Sequence, residues 1–180
     1  MRLAAIIVLA LVAAGCGGGG GSTTEEEAWA DDVCTSVASW RTEVQTIVTN
    51  ATSALTQPGA TRADLEGAID EGLDATKTLV EDLRAAVPPD TTEGDEAKAA
   101  VDAFVDDVQA SDDKVRSALG GLPEDAGLAQ VIAELSGLAT NLQTTVDNGR
   151  ALVTQLTELG GSLKDAFENA ESCQELQEPE

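Results

Sequence analysis

LAQVIAELSGLATNLQTTVDNGRALVTQLTELGGSLKDAFENA, residues 128–170, sets the architecture of this chain. A seven-residue column runs through it: Leu128, Leu135, Leu142, Gly149, Leu156, Leu163 and Ala170. Four residues on lies a second column of Ile132, Ala139, Val146, Val153, Gly160 and Phe167. A heptad held this long predicts a helix with one continuous apolar seam. Gly149 and Gly160 fall within the columns, where each costs about 1 kcal/mol relative to Ala, so each calls for a packing reason. Pro123 with Glu124 and Asp125 suits a helix start, giving a fourth helix from Pro123 to Ser172 about 75 Å long.

Three shorter helices precede it. Thr23 and Thr24 stand three residues before Glu26 and Glu27, the spacing of a capping box. Trp29, Val33, Val37, Trp40, Val44, Ile47, Ala51 and Leu55 then recur in steps of three and four, until Gln57-Pro58-Gly59 stops the helix. Thr61 with Asp64 caps the second helix, whose stripe is Leu65, Ile69, Leu73, Thr76, Val80, Leu83 and Val87, and Pro88-Pro89-Asp90 ends it. The third carries Ala97, Val101, Phe104, Val108, Val115 and Leu119 inside and closes at Gly120-Gly121. Its aspartates Asp102, Asp106, Asp107, Asp112 and Asp113 lie mostly off that stripe.

The expected fold is therefore all-α, an elongated antiparallel four-helix bundle over residues 24–174 with a long C-terminal helix and an acidic tail over 175–180. Composition agrees. Apolar residues make up 42% of the chain and aromatics only 2%, a palette for helices, not sheets. The formal net charge is −23, which repels nucleic acid and anionic lipid headgroups. The overhang of the long helix beyond the first is met either by a staggered bundle, which keeps both heptad and disulfide, or by a break at Asp147-Asn148-Gly149; the stagger is preferred.

The N-terminus is of another kind. Met1-Arg2 followed by the uncharged apolar run Leu3 to Val12 reads as a secretory signal, too short to span a bilayer stably. Ala13, Ala14 and Gly15 before Cys16 resemble the lipobox of bacterial lipoproteins, and the Ala-, Gly-, Val- and Asp-rich, Lys-poor composition points to an actinobacterial one. The resemblance implies cleavage of residues 1–15, acylation of Cys16, and attachment to the cell membrane on its extracytoplasmic side. Gly17 to Ser22 then forms a flexible tether within residues 16–23.

With Cys16 committed to lipid, Cys34 and Cys173 remain, and export to an oxidising space favours a disulfide between them. Pairing across antiparallel helices sets a register in which Trp40 meets Phe167, Val44 meets Leu163 and Ile47 fills the gap at Gly160. The disulfide-bonded end of the bundle then lies nearest the membrane, and the end near Leu55 to Thr61 and Gly120 to Leu128 is the distal one.

Chemistry is scarce in this alphabet. The chain has no His and no Tyr, removing the commonest general base and metal ligand. No P-loop or nucleophile-elbow motif occurs, and the run Gly17 to Gly21 is too uniform and too near the anchor to cradle phosphate. The acidic pairs read as a solvated face in place of a metal site, and Trp29 and Trp40 as core. The expectation is a non-enzymatic protein without a cofactor, acting as an interaction or structural module of the cell envelope with a protein partner. The alternative is a carrier or sensor that binds a small or apolar ligand between its helices.

Overall fold

The computed structural model describes residues 24–123 and 126–177, with the side chains of 134–142 and 177 excepted. The described chain is all-α and forms a helical bundle. Its elements are α1 (Glu25–Leu55), α2 (Arg62–Ala85), α3 (Thr92–Gly120), α4 (Leu128–Glu158), α5 (Gly161–Asn169) and α6 (Glu171–Gln177).

The first two helix starts follow the sequence closely, while α3 begins at Thr92, inside the stretch expected as a linker through Gly94. Thr24 and Glu27 form a reciprocal capping box, the Thr24 amide donating to Glu27 at 2.9 Å and the Glu27 amide donating to Thr24 Oγ1 at 3.2 Å. Thr61 and Asp64 repeat it on α2. Hydrogen bonds from the Thr61 hydroxyl and amide hold the Asp64 carboxyl below its ordinary pKa. Thr91 caps α3 through the Gly94 amide at 2.9 Å. Such caps satisfy amide groups that a helix start leaves without partners.

α1 packs chiefly on α2 and α3 on α4, each pair antiparallel. The main core unites Trp29, Val33, Val37 and Trp40 of α1 with Leu79 and Leu83 of α2, Phe104 and Val108 of α3, and Val153 and Leu156 of α4. A smaller cluster at the distal end gathers Leu65, Ala126 and Val131.

The single long C-terminal helix is not what forms. α4 begins at Leu128, with Gly127 as N-cap, so Pro123 lies outside it, and its carbonyl accepts from the Ala126 amide and from Arg62. The chain then leaves the helix at Gly160, not at Gly149. Gly160 has φ 89° and ψ −174°, a region open essentially to glycine alone, and Gly161 follows with φ 64°. Gly149 is helical and serves close packing: a Cβ there would lie 3.2 Å from Val37 Cγ1 and 3.5 Å from Phe104 Cζ.

After the break the chain turns back on itself. Ser162 donates to Glu26, Phe167 sets its ring on Trp29, Ser172 donates to Asp31, and Cys173 is bonded to Cys34. Rising numbers meet rising numbers, so α5 and α6 track α1 in the same direction. This overturns the antiparallel register. Trp40 stands against Phe104 of α3 with ring centroids 6.5 Å apart, and Phe167 meets Trp29 at 5.5 Å.

Replacing Gly160 by Ala leaves the new methyl in open space yet forces an L-residue into that backbone region. The expected cost is about 1–3 kcal/mol, read from the urea midpoint; an unchanged midpoint would show that the break tolerates another conformation.

Candidate ligand cavity

The fold-back of the C-terminal segment shapes the rest of the bundle. α6 packs on both α1 and α4, whereas α1 and α4 touch each other little. It acts as a wedge in that seam. The wedge is short: Glu175 lies beside Thr42 and Glu43 of α1, and α6 ends at Gln177. Distal to it, no further helix among the described residues fills the seam.

A cavity of about 350 Å³ occupies that distal half, walled by α1, α2, α3 and α4. The volume lies within the range of small-molecule sites, about 300–1,000 Å³. Its α1 wall begins at Trp40 and Val44, where the wedge ends, and continues to Leu55. Val48 of α1 and Ile132 of α4 line it and are exposed at 50% and 38%, which marks the α1–α4 seam as a mouth. Ile132 was expected inside; Val131 takes that place, fully buried in the distal cluster.

The described wall is almost entirely apolar, and its few polar side chains are mostly satisfied. Thr52 donates to the Val48 carbonyl and Thr76 to the Gly72 carbonyl. Trp40 Nε1 donates to Thr76 Oγ1 at 3.3 Å, which fixes the indole at the inner end. Thr145 of α4 donates to Ser111 Oγ of α3 at 3.2 Å, both residues buried. Asp112 is different. Its Oδ2 accepts from Arg116 Nε at 3.1 Å, while its Oδ1 is shielded from solvent and has no hydrogen-bond partner.

Of the residues singled out in the sequence, Cys34 and Cys173 are brought together as a disulfide with both side chains fully buried. The proposed lipidation site Cys16 and the tether lie outside the described residues. Among the described residues, no group of three or more His, Cys, Asp or Glu side chains is placed to hold a metal ion, and no helix is long and apolar enough to cross a membrane. Trp29 and Trp40 are both buried, but only Trp40 lines the cavity. Asp112 carries no sequence signal that separates it from its acidic neighbours, because its role depends on which edge of α3 faces the void.

Comparison with protein-family models, with curated proteins and with solved structures finds no match for this chain. Fold and cavity together define its class: a disulfide-bonded helical bundle with an apolar void between its helices.

Proposed function

We propose that this protein is a lipid-anchored, extracytoplasmic carrier or sensor of the bacterial cell envelope that receives a small apolar ligand between its helices. The observation that carries this reading is the apolar cavity at the open α1–α4 seam. An interaction module needs only a packed interior and an outer surface, whereas an unfilled apolar void costs stability that a ligand restores. Apolar cavities accept apolar guests. Nothing in the site calls for catalysis.

The anchor belongs to the same proposal. Acylated Cys16 holds the start of α1 near the bilayer surface, and the middle of the cavity wall, at Ile47, lies about 33 Å along α1 from Glu25. Replacing Cys16 by Ser is expected to release the protein from the membrane fraction while its helical circular dichroism stays unchanged; full retention on membranes would sink the anchor.

Cavity blocking tests the reading itself. Gly72 lines the void and has nothing within 4 Å of its missing Cβ, and Ala68 lines it one turn earlier. In the full chain, Gly72→Leu and Ala68→Leu are expected to abolish the quenching or shift of Trp40 fluorescence by 1-dodecanol and to keep or raise the melting temperature. Undiminished binding in both variants would rule out the cavity as the site.

A further inference from the structure

The length and the volume of the cavity together set the shape of its guest. The lining runs from Trp40 to Leu55 on α1, from Leu65 to Thr76 on α2 and from Ile132 to Thr145 on α4. At 1.5 Å per helical residue these walls are about 16–22 Å long. The volume is about 350 Å³. A void of about 150 Å³ takes up benzene, so on that scale this one holds about fourteen carbons. In an extended chain each carbon advances about 1.3 Å along bonds of about 1.5 Å, so that number of carbons reaches about 17 Å. Capacity and length therefore agree for a guest one carbon chain wide. A fused ring system with the same number of carbons is far shorter and leaves part of the wall bare.

The two ends of the void differ. At the inner end Trp40 Nε1 donates to Thr76 Oγ1, and Thr145 donates to Ser111 Oγ, so these polar groups are engaged with one another. They call for no head group. At the seam Val48 and Ile132 are exposed, and a polar head placed there stays in water. Between the two, Gly72 and Ala68 present nothing larger than a methyl group on the α2 wall, which leaves width for the chain.

We infer that the cavity takes a single unbranched alkyl chain of about fourteen carbons, with its methyl end at Trp40 and its polar head at the Val48–Ile132 opening. The guest is thus a single-chain amphiphile and not a sterol or a polycyclic aromatic. This rests on the cavity reading above and adds the shape and direction of the ligand.

Shape and direction are tested separately. 1-Dodecanol and cyclododecanol have equal carbon counts; each is titrated below its aggregation limit into the full chain, followed by Trp40 fluorescence, and its affinity is divided by its partition from water into octane. The linear alcohol is expected to bind at least about tenfold more tightly on that corrected scale. From 1-octanol through 1-decanol to 1-dodecanol the uncorrected affinity should rise about fourfold per methylene, the gain for burying each one. In Trp29→Phe protein, where Trp40 is the sole indole, 1-dodecanol brominated at its terminal carbon should quench more strongly than the same alcohol brominated beside the hydroxyl. Corrected affinities that are equal or favour the ring, or an affinity that is flat along the linear series, overturn the single-chain guest while leaving the cavity reading in place. Equal or reversed quenching overturns the direction. Failure of every probe to bind overturns this inference and the cavity reading together.

Discussion

Replacing Cys34 and Cys173 by Ser lowers the stability of the bundle by up to about 5 kcal/mol, the entropy of closing a loop of this size in the unfolded chain. The bond joins residues 139 apart, and both sulfurs sit in the fully buried core. The substitution also leaves two hydroxyls in an apolar interior, which adds to the loss unless they find acceptors. One is at hand, because Cys173 Sγ already lies 3.6 Å from the Ala30 carbonyl. The effect is not uniform along the chain. α6 is a helix of seven residues, too short to persist alone, so without the covalent link it detaches first and the α1–α4 seam loses its wedge. Hydrogen exchange should therefore show α6 losing protection ahead of α2 and α3, with the global melting temperature falling as well. Equal melting curves for oxidised and reduced protein would remove the disulfide from any structural role.

That wedge is the part of the fold the sequence concealed, and the reason is visible in Gly160-Gly161. A glycine pair is ordinarily a turn signal, but here it falls on a heptad column that continues through Leu163 and Phe167. Periodicity cannot distinguish one long helix from two helices that both turn the same face to the core. Both segments do bury that face: Leu156, Leu163 and Phe167 are all at 1% exposure or less. The disulfide was equally ambiguous. One covalent link fixes a point of contact and not a direction, and the parallel arrangement of α6 on α1 satisfies it as well as the antiparallel one. By contrast, the capping residues Thr24, Thr61 and Asp64 and the stop after Leu55 act within a few residues, and the structure places them where the sequence does, whereas α2 ends at Ala85, ahead of Val87, which was expected in its apolar stripe and stands 76% exposed outside the helix.

The cavity was legible only in outline. Gly149 and Gly160 each called for a packing reason, and neither opens the void: Phe104 and Val37 close over the first, and the second bends the backbone. The void lies elsewhere, opposite Gly72 and Ala68, because its position depends on where α6 stops along α1. No local pattern encodes that distance.

Phe167→Ala is the second large loss to expect, about 3–5 kcal/mol for deleting a buried aromatic ring. Phe167 is fully buried and is among the largest side chains to be so. Its ring meets Trp29 edge to face, with an interplanar angle of 90°, and thereby fixes α5 against the start of α1. A double-mutant cycle with Trp29 should yield a coupling of about 0.5–1.5 kcal/mol. Trp29 itself behaves differently. Its Nε1 is buried without an acceptor, a cost that Trp29→Phe removes along with the indole, so that variant should lose much less than Phe167→Ala. Urea denaturation of the two single variants orders them, and a greater loss for Trp29→Phe would mean that the indole nitrogen has a partner the packing does not reveal. Because Cys173 still ties α6 to α1 when Phe167 is truncated, the wedge stays in place and cavity binding should persist. Loss of dodecanol binding in folded Phe167→Ala protein would instead show that α5, and not the tethered α6, holds the seam open.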